Sequence, residues 1–183
     1  KGLVVFDAVI SGTASHAAHP NADNPIMKLP EVLRWFNNFT FKKESEVLGP
    51  VKMTVTQVSA GKQHNVVPAD VHLVVDVRVN DCYSNQEIVD LLQQKAPCTL
   101  TPRSTNLNSS SIPITHELVE AGIGLGRKPY GSPTLSDQAK LSCPSLKLGP
   151  GDSTRSHTAN EFIHVSEIEE GIAIYINLLN EIL

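Results

Sequence analysis

The chain predicts an α+β fold: a ferredoxin-like unit of four antiparallel strands and two helices over residues 1–111, then a C-terminal α/β segment over residues 112–183. Three observations carry this expectation. Val71, Leu73, Val75, Val77 and Val79 are apolar at alternate positions, the period of a half-buried strand. Ser84-Asn85-Gln86-Glu87 has the capping-box pattern that opens a helix. Up to Ser111 the segments run strand, helix, strand, strand, helix, strand, the order of a recurrent small sandwich.

Each element has its own justification. Leu3 to Ile10 is rich in Val, Ile and Phe, with Val4, Phe6, Ala8 and Ile10 on one face, and Ser11-Gly12 ends it. From Asn24 the apolar positions Ile26, Leu29, Leu33 and Phe36 follow helical spacing; Pro25 suits a first turn, whereas Pro30 predicts a kink or a late start. Val51, Met53 and Val55 alternate with Lys52, Thr54 and Thr56 in a second strand that Gly61 breaks. In the third strand, Val71 to Asn80, the residues His72, Asp76, Arg78 and Asn80 share the wetter face. After the capped helix carrying Ile88, Leu91 and Leu92, Cys98 to Leu107 supplies a fourth strand.

The remainder reads differently. Thr115 to Ile123 predicts a short helix ended by Gly124 and Gly126, Ser145 to Leu148 a short buried strand, and Ser166-Glu167-Ile168-Glu169 a capping box. That box opens a final helix with the apolar stripe Ile168, Ile172, Tyr175, Ile176, Leu179 and Leu183. So short a segment cannot bury a core comfortably by itself, and a partner from outside the sequence is expected.

Composition narrows the function classes. A net charge of −4 with no basic stripe argues against nucleic acid, and the apolar runs are too short to cross a bilayer. Cys82, Cys98 and Cys143 are far apart and odd in number, which fits a reduced, cytoplasmic setting. Residue 1 is a lysine, so the chain is expected to be a piece of something longer. G-x-S-x-G, Walker and strand-to-helix G-x-G-x-x-G motifs are absent.

Chemistry concentrates in a few places. In "GPGDSTRSHTANEF", residues 149–162, Gly149, Pro150 and Gly151 re-aim the backbone ahead of His157 and Glu161. Such a turn can present an imidazole to a metal, or simply leave a polar histidine at a helix end. Glu161 would share a helical face with His157, or serve as a first-turn acid favoured by the helix dipole. His16 and His19 form H-x-x-H with only Asp23 as a nearby acid, so a single histidine donor competes with a metal pair. Asn65 stands in a loop between strands, where an asparagine usually satisfies its own turn. Arg78 either pairs with a neighbour such as Asp76 or holds a substrate carboxylate, which would contribute about 1.5–3 kcal/mol.

Five runs taken in order, "SGTASHAAHPNADNP", "GPVKMTVTQVSAGKQHNVVP", "VVDVRVN", "GSPTLSDQA" and "GPGDSTRSHTANEF", resemble the zinc-dependent aminoacylase, carboxypeptidase and succinyl-diaminopimelate desuccinylase family, and within it the acetylornithine deacetylases. The resemblance implies that residues 1–111 are a lid or dimerisation domain and residues 112–183 the C-terminal part of a catalytic domain. It implies two zinc ions, with cobalt as an alternative, His157 as one metal ligand and Glu161 as support for it. His16 would donate to the oxyanion in a partner subunit's site. Asn65, Arg78, Ser136, Asp137 and the backbone of Gly151 would face substrate, and His19 would be structural. The implied substrate is a small N-acyl amino acid, N2-acetyl-L-ornithine first and a succinylated amine or a peptide next, and the implied assembly is a homodimer formed through the lid. A non-catalytic dimerisation module is the alternative from another class. The family's other metal ligands and its general base are absent, so the chain alone is expected to be inactive.

Overall fold

The structure, a computed structural model, describes residues 1–183. It divides into two compact units, Lys1–Ser110 with Gly131–Lys140, and Ser111–Tyr130 with Leu141–Leu183. Residues 131–140, which the sequence assigns to the second part, thus group with the first. A Cβ on Gly131 would lie 2.3 Å from the Val47 carbonyl oxygen, so only glycine permits that approach.

The first unit is built on strands β1 (Gly2–Ser11), β2 (Ser15–His16), β3 (Lys52–Ala60), β4 (Val66–Val67), β5 (Asp70–Val79) and β6 (Thr99–Pro102), with helices α1 (Pro25–Asn38) and α2 (Asn85–Lys95). Four strands form an antiparallel sheet in the order β3-β5-β1-β6, and β2 pairs with β4 in a separate two-stranded ribbon. Along β1 and β5 the pairing runs from Gly2 opposite Val79 to Ser11 opposite Asp70. Strand period puts Val4, Phe6, Ala8 and Ile10 beside Val71, Leu73, Val75 and Val77 on one face, where Val32, Phe36, Ile88 and Leu92 from the helices complete the core.

Local chemistry sets the helix ends. The Asn24 side chain accepts from the Ile26 N–H at 2.9 Å, so α1 starts at Pro25 and runs through Pro30 rather than starting late. Proline removes one rung there, and burial of Val32 and Phe36 outweighs it. Both halves of the Ser84–Glu87 capping box are made, at 3.1 and 2.7 Å. Two strand expectations need correction. A β-bulge between Val55 and Gln57 breaks the alternation of β3. Asn80 leaves the wet face once β5 ends: it is fully buried, donating to the carbonyls of Lys43 and Gly49 at 3.2 and 2.9 Å. The fourth strand is shorter than expected, and Leu107 returns only as a bridge to Leu3.

The second unit holds α3 (Glu117–Gly124) and α4 (Val165–Asn180). Gly126, at φ 77°, turns the chain after α3. Ser145 to Leu148 forms no strand, because no strand in this unit is available to pair with it; the Leu148 carbonyl instead accepts from the Tyr175 hydroxyl. The cap of α4 also differs from expectation: His164 precedes the helix, and Glu167 at its third position accepts from the His164 N–H at 2.8 Å. Most of the apolar stripe of α4 is exposed, with Ile172 57% and Ile176 54% accessible, and only Gly171 and Leu178 are buried on that helix. No helix is long and apolar enough to cross a membrane.

Candidate functional site

His16 and Asn65, far apart in sequence, meet on the β2–β4 ribbon. His16 is opposite Val66, and the Ala17 N–H donates to the Asn65 carbonyl oxygen at 2.9 Å. Nδ1 of His16 accepts from the Ala18 N–H at 3.1 Å. In the neutral imidazole the proton then sits on Nε2, which makes His16 a hydrogen-bond donor through that atom. Both His16 and Asn65 are exposed.

The loop behind the ribbon is tightly fixed. Asn21 donates to the Thr13 carbonyl and to Ser15 Oγ at 2.8 and 2.7 Å, and Thr13 Oγ1 donates to Asp23 at 2.8 Å. Bonds from Lys28 and then Thr13 hold the Asp23 carboxyl below its ordinary value. Asp23 is therefore committed to its own loop, and His19 packs edge-on to His16 with ring centroids 5.7 Å apart. No group of three or more His, Cys, Asp or Glu side chains is arranged to hold a metal, so the paired-histidine alternative finds no further ligands.

Arg78 lies at the other end of the sheet. It is opposite Leu3 and Lys52, whereas the ribbon continues from the end where Ser11 faces Asp70. From Asp70 to Arg78 the strand rises roughly 26 Å. The guanidinium is occupied by Asp76, the neighbour-pairing alternative read from the sequence. Ser136 and Asp137 belong to the 131–140 segment, whose Ser132 carbonyl accepts from the Lys1 nitrogen at 3.1 Å, beside the start of β1. Ser136 Oγ donates to Gln138 at 2.9 Å and thereby shapes its own short helical turn; Asp137 is exposed.

Gly151, His157 and Glu161 are in the second unit. Gly151 adopts φ 81°, and a Cβ there would sit 3.2 Å from Ile163 Cδ1. Asp152 then caps a short turn, Ser153–Arg155, by accepting from the Thr154 N–H and hydroxyl, both at 2.8 Å. His157 has φ 60°, the left-handed region, which costs a residue with a Cβ about 1–2 kcal/mol. Its N–H donates to Glu161 Oε2 at 2.9 Å. Glu161 thus holds the histidine backbone and leaves the imidazole, which is exposed and makes no hydrogen bond, available to a ligand. As a single metal ligand His157 fits; as a complete zinc site this chain does not, because zinc takes three or four protein ligands.

Sequence reasoning missed Arg155. Its guanidinium reaches across twelve positions to Glu167, with Nη1 to Oε2 at 3.0 Å and Nη2 to Oε1, and lies 4.8 Å from the Phe162 ring centroid. Opposite charges twelve apart, one in a loop turn and the other in the first turn of a helix, carry no periodic signal, so nothing in the sequence marked the pair.

The first 97 residues, more than half of the chain, match the peptidase dimerisation domain model. Succinyl-diaminopimelate desuccinylase from Rickettsia felis is 26% identical over 201 aligned positions, covering 100% of this chain and 52% of its own length. The Cereibacter sphaeroides enzyme of the same name is 25% identical over 199 positions, covering 99% and 52%. This chain therefore spans about half the length of the curated relatives it matches. Among solved structures, the aminopeptidase PepT of Bacillus cereus superposes with a TM-score of 0.67 at 16% identity, over 98% of this chain and 52% of that one. The yeast di-peptidase Dug1p superposes with a TM-score of 0.62 at 13% identity, over 98% and 54%. These two likenesses are of fold. The family model matches over residues 1–97, which hold three of the four sheet strands and both covering helices, and the chain belongs to the peptidase dimerisation domain family.

Proposed function

We propose that this chain is the lid and the C-terminal part of the catalytic domain of a homodimeric, metal-dependent amidohydrolase. The whole enzyme cleaves the amide of an N-acyl amino acid into a free amine and a carboxylate. In this reading residues 1–111 form the lid and residues 112–183 the catalytic part, except that residues 131–140 group with the first unit. His157 supplies one metal ligand, for zinc or cobalt, and Glu161 fixes its backbone. The remaining ligands and the proton-shuttling base lie outside this chain.

The separation of His16 from Arg78 carries the two-subunit reading. A single small substrate cannot touch both ends of a sheet that rises roughly 26 Å between Asp70 and Arg78. Two subunits can bring them together, with Arg78 holding the substrate carboxylate and His16, accompanied by Asn65, arriving from the partner. Nε2–H of His16 then donates to the oxyanion that develops on the acyl carbon, an interaction whose removal generally lowers kcat by about 10²–10³. Ser136, Asp137 and the Gly151 N–H complete the substrate contacts in this reading.

The substrate class is an amino acid acylated on an amine. The motif resemblance favours N2-acetyl-L-ornithine, a substrate of arginine biosynthesis, whereas the names of the Rickettsia and Cereibacter relatives favour a succinylated diamino acid. The shared chemistry is an acylated diamino acid, and a panel of acetyl and succinyl derivatives separates the two.

Mixed dimers test the assembly. In the whole enzyme, His16→Ala and His157→Ala homodimers should both be inactive, while co-refolded subunits regain activity because one site keeps its own His157 and receives an intact His16. A mixture as inactive as its parents would defeat the two-subunit reading. Full turnover by both single variants would leave a non-catalytic dimerisation module.

A further inference from the structure

We propose that Arg155, pinned by Glu167, is the positioning residue that sets the conformation of His157. The functional meaning of this inference rests on His157 being a metal ligand, but the positioning itself is argued from geometry alone.

Arg155 works from both of its ends. Its side chain ties the loop to the first turn of α4 through two hydrogen bonds to Glu167, and the pair is shielded, with 19% and 25% of the two side chains accessible. Phe162 lies beneath the guanidinium and meets His164 edge-on, with centroids 5.1 Å apart, so an aromatic floor supports the fork. The main chain of Arg155 adds a second restraint, because its carbonyl accepts from Thr158 Oγ1 at 2.7 Å. The exposed His157 thus lies in a turn closed by the Thr158–Arg155 bond, and its own N–H is taken by Glu161 at 2.9 Å. A left-handed histidine persists only where surrounding contacts impose it. Beside the Glu161 bond, the restraint on this turn comes from Arg155, which takes Thr158 on its carbonyl and joins the loop to the helix behind it. Glu167 is already oriented by the His164 N–H at 2.8 Å, so the anchor is fixed before the arginine reaches it. Lysine in place of Arg155 would keep the charge and lose the two-pronged grip.

Two readouts test this. In the whole enzyme, water-exchange NMR of the His157 amide, which donates to Glu161, is compared for the native protein, Arg155→Ala, Arg155→Lys and Glu167→Gln. The expected result is exchange at least about tenfold faster in Arg155→Ala, smaller acceleration in Arg155→Lys, and unchanged protection of the Ile172–Leu178 amides. Exchange within twofold of native in Arg155→Ala would overturn the proposal; if that variant does not fold, Glu167→Gln is judged by the same criterion. The second readout is cobalt(II) affinity of the whole enzyme, followed by its visible absorption. Removing an outer support typically weakens metal binding about 10–100-fold, and that loss is expected for Arg155→Ala. A His157→Ala enzyme that keeps cobalt as tightly as native defeats the metal reading and leaves the exchange result standing. Loss of cobalt in His157→Ala but not in Arg155→Ala defeats the positioning role alone.

Discussion

Arg78 grips Asp76 with two parallel hydrogen bonds, Nε to Oδ1 at 2.7 Å and Nη2 to Oδ2 at 3.0 Å, two positions apart on the same face of β5. A substrate carboxylate can be held at this guanidinium only by sharing it with Asp76 or displacing it. In the whole enzyme Arg78→Ala should therefore raise KM about 10–100-fold with a smaller change in kcat, the loss expected of a charge-assisted pair. Steady-state kinetics on a substrate and on its carboxamide analogue check this. An unchanged KM would reduce Arg78 to a structural partner of Asp76.

Acid should loosen the second unit through Glu167. Bonds from Arg155 and then from the His164 N–H hold its carboxyl down to about 2, against an ordinary value of 4.5. A carboxyl depressed in the folded state adds stability that is complete above the unfolded value and is lost as pH falls toward the folded one. The α4 amide signals should accordingly weaken between about pH 4.5 and 2, and Glu167→Gln should flatten that dependence. Superimposable acid titrations of the two proteins would contradict it.

The sheet has a long open edge. β3 spans nine residues with Lys52 as its one charge, and nothing in the first unit pairs with its outer side, a profile that invites strand addition by a second copy. Thr54→Lys combined with Val58→Lys should raise the dimer dissociation constant at least about tenfold while leaving the far-ultraviolet spectrum intact. Sedimentation velocity distinguishes this from a dimer that forms elsewhere, in which case association would not change.

Thiol chemistry should separate Cys98 from Cys143. Burial pushes the Cys98 thiol up to about 11, whereas Cys143 is exposed. At pH 8 a thiol-specific reagent should label Cys143 well before Cys98, read by peptide mass spectrometry. Equal labelling rates would mean that Cys98 is more accessible than the fold allows.

The first unit was legible because its elements are locally consistent. Alternation in β5, the capping box at Ser84 and the glycine after β3 all act within a few residues, and the structure places them as the sequence implies. Long-range features were not legible. Burial of Asn80 depends on carbonyls more than thirty positions away, and the Gly131 segment joins the first unit through Val47. Ser145–Leu148 has a strand-like composition but no strand beside it. In the site, the residue types were readable and their grouping was not: pairing of β2 with β4 unites His16 with Asn65, and the full length of β5 sets Arg78 apart.

That length makes the first unit's sheet a ruler. Ten paired residues on β1 and β5 fix the interval between the Arg78 end and the ribbon bearing His16. Adding a residue pair to both strands would stretch the interval by about 7 Å with every side chain still on its proper face. Adding one residue would turn the Val71–Val79 ladder outward and destroy the core. The interval along the sheet can therefore change only in steps of two residues.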